Sequence, residues 1–82
     1  MRQKNKNNMY KNDIGINAGV IWHLLSEKGE LSIREIGELT NFREPFIYLA
    51  LGWLSRENKI HFYEKNGAVY AELNQIVSEM YF

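Results

Sequence analysis

The chain has 82 residues, no cysteine, ten Lys/Arg and ten Asp/Glu. That length holds one small domain, disulfide and thiol chemistry are excluded, and no apolar run approaches the roughly 18 residues of a membrane span. The zero net charge hides a split, because Arg2, Lys4, Lys6 and Lys11 give residues 1–12 a charge of +4 with no acid, and residues 13–82 carry −4.

Residues 1–12 are also rich in asparagine (Asn5, Asn7, Asn8, Asn12) and poor in apolar side chains. This composition predicts a flexible basic arm. No apolar stretch comes after the basic residues, so the arm does not read as a secretory signal; a cytoplasmic protein is the expectation.

A helix is predicted from about Ile14 to Lys28, with Asp13 as N-cap and Gly29 at the C′ position. Ile14, Ala18, Ile21 and Leu25 fall at i, i+4, i+7 and i+11 on one apolar stripe, which Leu24 widens. Gly15, Gly19 and Trp22 form a second stripe. Each interior glycine costs a helix about 1 kcal/mol relative to alanine, so two of them four apart mark a close approach by a neighbouring element or a second subunit.

Glu30-Leu31 reads as a short strand. Ser32 and Glu35 then match a capping box, with Leu31 and Ile36 as the staple around it. The helix they open buries Ile33, Ile36 and either Leu39 or Thr40. After Thr40-Asn41-Phe42 a further helix starts at Arg43 to Pro45, where proline is tolerated in the first turn. It ends at Glu57, with Asn58 suited to a left-handed C′. Ile47, Leu51 and Leu54, flanked by Ala50, are its core stripe. Pro45, Tyr48, Leu49, Gly52 and Arg56 face away, with Phe46 and Trp53 at one border.

Asn66-Gly67 is a strong two-residue hairpin signal. It sets Lys65 opposite Ala68, Tyr63 opposite Tyr70, Phe62 opposite Ala71, His61 opposite Glu72 and Ile60 opposite Leu73. Ile60, Phe62, Ala71 and Leu73 then share the face that rests on the helices, and His61, Tyr63, Tyr70 and Glu72 share the other. Residues 74–82 pair Ile76 with Met80 and Val77 with Tyr81 at i, i+4, too short a segment to be helical without a surface to dock on. Helix, short strand, helix, turn, helix, hairpin is an α+β order: the winged helix-turn-helix, with a three-helix core over 13–73, an arm before it and a short helical or docking segment after it.

Two stretches are more specific than that order. They are Ile14-Gly15-Ile16-Asn17-Ala18-Gly19-Val20-Ile21-Trp22 and Ala50-Leu51-Gly52-Trp53-Leu54-Ser55-Arg56-Glu57-Asn58-Lys59-Ile60. With them the chain resembles, over roughly residues 13–73, a family of small bacterial winged helix-turn-helix proteins whose domain is of unknown function. The resemblance implies that fold and a homodimer. It implies no catalytic residues and no ligand.

The residues themselves carry no enzyme signature. His23 sits four residues before Glu27 and His61 faces Glu72; both spacings suit surface or cross-strand pairs better than a metal site or a dyad. No catalytic residue, metal or cofactor is assigned. Two readings of function remain. In the first, a DNA-binding module of transcription-regulator type acts as a homodimer, and duplex DNA meets Arg43, Tyr48, Arg56, Lys59, Lys65 and the arm residues Arg2, Lys4 and Lys6, with Asn41 in reach of a phosphate. Against it stands the acidic body, since phosphate binding rests on Lys and Arg. In the second, the surface around Phe46, Leu49 and Trp53, with Gly15, Gly19, Trp22, Met80 and Tyr81, is a protein interface, because exposed Trp and Leu on such a helix suit a partner better than a groove.

Overall fold

The computed structural model describes residues 2–74, with side chains from Asp13 onward. Helix α1 spans Arg2–Lys28, strand β1 Glu30–Ser32, helix α2 Ile33–Thr40, helix α3 Glu44–Arg56, and strands β2 and β3 Ile60–Lys65 and Ala68–Leu73. The sheet is antiparallel with order β1-β3-β2. One boundary differs from expectation. Helical backbone begins at Arg2 and not at Ile14, so Asp13 lies inside α1 instead of capping it, and the segment read as an arm is the first part of that helix.

The punctuation residues act where their chemistry places them. Gly29 ends α1 at φ 94°, and its N–H donates to Leu25 O at 2.9 Å, the left-handed cap that a residue without Cβ adopts freely. Ser32 Oγ accepts from Glu35 N at 3.0 Å, and the Glu35 carboxylate accepts from Ser32 N at 2.8 Å. Both halves of the capping box are therefore made. Asn41 stops α2 at φ 69°. Asn58, at φ 63°, stops α3 in a Schellman arrangement: Lys59 N donates to Leu54 O and Asn58 N to Ser55 O, both at 2.9 Å. Asn66 and Gly67 both have positive φ, as a type I′ turn demands.

Turn geometry then dictates register. The strand pairs are Ile60 with Leu73, His61 with Glu72, Phe62 with Ala71, Tyr63 with Tyr70 and Lys65 with Ala68, all as read from the hairpin signal. The short strand Glu30–Ser32 pairs with β3 and puts β3 in the middle of the sheet.

The core is one cluster: Ala18, Ile21 and Leu25 from α1, Leu31, Ile33 and Ile36 around α2, Ile47, Ala50, Leu51 and Leu54 from α3, and Ile60 and Ala71 from the sheet. One expected alternative is settled, and one expected position is corrected. Leu39 is exposed; half-buried Thr40 takes the inward place, its hydroxyl donating to Ile36 O and accepting from Phe42 N. Phe62 is 40% exposed, because β2 is the edge strand and the helices cover β3, so only Ile60 of β2 reaches the core.

Ser32→Ala is expected to lower unfolding stability by about 1 kcal/mol, since it strips one orphan N–H of its acceptor at the start of α2. Urea unfolding followed by circular dichroism measures this; an unchanged midpoint would mean that water replaces the hydroxyl at no cost.

Candidate nucleic-acid interface

Helix α3 buries Ile47, Ala50, Leu51 and Leu54, and this stripe decides what it presents outward. Glu44, Pro45, Tyr48, Leu49, Gly52, Trp53 and Arg56 are exposed. Arg43 is its N-cap residue and holds its guanidinium 5.5 Å from the centre of the Phe46 ring. Arg56 sits in the last turn and has no ion pair among the described residues.

A groove of about 810 Å³ runs between α2, the N-terminal half of α3 and the wing turn; Glu35, Glu38, Glu44, Tyr48, Gly67 and Tyr70 are among its lining residues. The fold thus brings Tyr48 of α3 and the hairpin tip to the two sides of one channel. The carboxylates there are unequal. Glu35 is occupied by the cap of α2, Glu38 pairs with Arg34 at 3.3 Å, and Glu44 has no ion pair among the described residues.

On the outer face of the sheet, Glu30 and Glu72 lie directly opposite each other, a repulsive arrangement in isolation. Each has a basic neighbour. His61 Nε2 is 3.2 Å from Glu72 Oε1, and Lys65 Nζ donates to Glu30 Oε2 at 3.1 Å. Lys65 also lies 4.7 Å over the Tyr70 ring, which stacks on Tyr63 at 5.6 Å. The hydrogen bond that Lys65 donates to Glu30, then the charge of that carboxylate, raises the Lys65 pKa above the ordinary lysine value. Because the folded value is the higher one, whatever this pair contributes to folding is fully present below the ordinary lysine value and is lost as pH climbs past the raised one. Lys65 is therefore already engaged inside the domain. Lys59 lies 3.9 Å from Glu57. Among the predicted DNA contacts with described side chains, Arg43, Tyr48 and Arg56 share the exposed α3 surface, while Lys59 and Lys65 have acidic neighbours. Arg2, Lys4 and Lys6 belong to the first turns of α1, and their side chains lie outside the described residues.

The predicted protein interface divides in two. Leu49 is 47% exposed on α3, one turn before Trp53, with half-buried Phe46 one turn before it. Gly15 faces Trp53, whose Cζ2 comes within 3.9 Å of where a Cβ would be. That is ordinary van der Waals distance, and no described atom lies within 4 Å of such a Cβ on Gly19, so the close approach expected of the second stripe is not found among the described residues; Trp22 and Trp53 border the same groove. Met80 and Tyr81 lie outside the described residues.

The sequence reading missed Ile16, 65% exposed, and Val20 on the outward face of α1. With Gly19, His23 and Leu24 they line a shallow apolar depression. The signal was present: from Ile14 to Leu25 the polar residues are Asn17 and His23 alone, and a helix apolar all round is normally covered on every side. It also missed Glu30 as the partner of Lys65, a contact that only the sheet order creates. Among the described residues no cluster of His, Cys, Asp or Glu is placed to hold a metal ion, and no helix is long and apolar enough to cross a membrane.

Comparison with known proteins agrees with this architecture. The family model described as winged helix-turn-helix domain (DUF2582) matches residues 9–73. Uncharacterized protein MJ1608 of Methanocaldococcus jannaschii is 42% identical over 50 residues, covering 57% of this chain and 70% of that protein. The solution NMR structure of protein BT2368 from Bacteroides thetaiotaomicron superposes with a TM-score of 0.72 at 38% identity, covering 88% of this chain and 87% of the other. HlyU from Vibrio cholerae N16961 shares the fold at a TM-score of 0.68 with 18% identity, over 98% of this chain and 89% of that one.

Proposed function

The chain belongs to the DUF2582 family of winged helix-turn-helix domains, and on that premise we propose that it is a DNA-binding module of the transcription-regulator type that acts as a homodimer. One observation carries the reading. Tyr48 of α3 and the wing turn border a single open channel, and Arg43 and Arg56 lie on the same exposed helix. In a helix-turn-helix the second helix of the pair enters the major groove. Arg56 has the reach and the bidentate donor geometry for a guanine edge, and Arg43 and Tyr48 suit the flanking phosphates. The basic turns that open α1 add Arg2, Lys4 and Lys6 as phosphate partners.

The same surface limits the affinity. Glu44 faces the channel and Lys65 is held by Glu30, so few cations are available for phosphates. Each neutralised phosphate contributes about 0.9 to the slope of log affinity against log salt; the expected slope is therefore shallow.

The test is an amide NMR titration of the labelled protein with mixed-sequence duplex DNA at low salt. The expected result is a set of shifts over Arg43 to Glu57 and around Asn66-Gly67, reversed by added salt. No shifts, or shifts confined to residues 1–12, would remove α3 from DNA recognition. The second reading would then lead: a winged helix that binds protein through Leu49 and Trp53, whose exposure on α3 is the observation in its favour.

A further inference from the structure

Pro45, Leu49, Gly52 and Arg56 recur at i, i+4, i+7 and i+11, so they form one line down the outward face of α3. All four are exposed, while Ile47, Ala50, Leu51 and Leu54 are buried on the opposite side. Three members of the line carry no polar side chain, and Arg56 stands at its end. The outward face of a surface helix is normally polar along its whole length.

The packing of the domain accounts for neither Leu49 nor Gly52. Leu49 is 47% exposed. Nothing lies within 4 Å of a Cβ built on Gly52, so the described residues give no reason for glycine there, although glycine weakens a helix interior. Both residues have a use against the base edges of a major groove. Thymine is the base that shows a methyl group in that groove, an apolar partner for Leu49. A residue without Cβ lets the helix backbone come close to what it contacts. Arg43 at the N-cap and Arg56 in the last turn bracket the apolar middle of the helix, and neither has an ion pair among the described residues. Apolar contact between two available guanidiniums fits a polyanion with methyl groups in its groove.

The spacing along the line is set by helix geometry. Seven residues at 1.5 Å each put Arg56 about 10 Å beyond Leu49. Base pairs rise about 3.4 Å each, so on a helix laid along the groove the two side chains meet bases about three steps apart. We propose that Leu49 and Arg56 are specificity-determining residues. Leu49 contacts the methyl group of a thymine, Arg56 pairs bidentately with a guanine about three steps away, and Gly52 between them is the point of closest approach to the bases. This contact set rests on the DNA reading and goes beyond it in naming the bases.

The test enriches a pool of randomised duplexes on the full chain and then edits the best binder one base at a time. Deoxyuridine pairs as thymidine does and lacks only the methyl group. The expected result is a shared thymine and guanine about three steps apart, and a three- to fivefold loss of affinity, roughly, when that thymine becomes uracil. Leu49→Ser should bind the thymine and uracil duplexes alike, since it has no apolar side chain for the methyl to touch. Gly52→Leu should weaken both duplexes by about tenfold or more, while its circular dichroism stays helical, because the new side chain meets nothing in the domain. A parent chain indifferent to the methyl, or a Leu49→Ser variant that still senses it, would overturn the role of Leu49 and leave the DNA reading standing. Unchanged affinity in Gly52→Leu would overturn the close approach. A pool from which nothing is enriched would overturn the DNA reading and these contacts with it, and Leu49 would pass to the protein reading.

Discussion

Replacing Arg43 and Arg56 together by alanine is expected to lower affinity for duplex DNA by about 10- to 100-fold or more, and to leave the thermal midpoint nearly unchanged. Contacts of an arginine to a base edge or a phosphate are each worth about 1–3 kcal/mol at the stronger end, and 1.4 kcal/mol is a factor of ten. Neither side chain has an ion pair among the described residues, so the fold loses little besides the Arg43–Phe46 contact. Fluorescence anisotropy with a labelled duplex at two salt concentrations separates the roles. Loss of the Arg56 side chain should blunt discrimination between sequences, and loss of the Arg43 side chain should weaken all sequences alike and flatten the salt slope. Lys65→Ala is the informative comparison. Because Lys65 bonds Glu30 across the sheet, its loss frees a carboxylate at the wing, and a weaker affinity would reflect added repulsion as well as a missing cation. If the double arginine variant binds DNA as the parent does, α3 is not the reading helix.

Ile16→Glu with Val20→Glu is expected to convert the proposed homodimer into a folded monomer. Both side chains point away from the core on α1, so the domain itself should keep its stability. In a two-fold interface each substitution appears twice, and a buried charge without a partner costs about 3–5 kcal/mol, enough to dissociate an ordinary dimer at micromolar concentration. Light scattering after size exclusion reads the mass, and circular dichroism reads the fold. Leu49→Glu serves as the contrast: an unchanged dimer there, with a monomer for the α1 pair, places the interface on α1, and the reverse places it on α3. A parent chain that is monomeric at every concentration would remove the homodimer from the proposed function.

Local chemistry explains why so much of the fold was legible. Ser32 and Glu35 satisfy each other's backbone within one turn of chain; Asn66-Gly67 accepts the positive φ that a tight hairpin needs; Asn58 and Gly29 do the same at helix ends. Each is decided within about five residues, so the sequence carries the answer in place. Pairing register is fixed with them, because a one-residue slip would exchange the two faces of the hairpin. The start of α1 was misread for a related reason. Asp13 has the chemistry of a cap, but a cap matters only where a helix begins, and the preceding asparagines and lysines do not stop the helix.

The candidate site was less legible, since its properties depend on which element becomes whose neighbour. Lys65 reads as a free wing cation until the strand order β1-β3-β2 brings Glu30 within 3.1 Å. Phe62 reads as a core residue until the same order makes β2 an edge. The alternation along a strand says which side chains share a face, but it does not say how far the helices extend beneath that face. By itself the sequence determined the element order, the caps, the turn and the register, all of them short-range matters of φ, hydrogen bonding and period. Only the tertiary structure decided which charges remain available and which apolar surfaces remain uncovered, because those depend on distances between residues far apart in the chain.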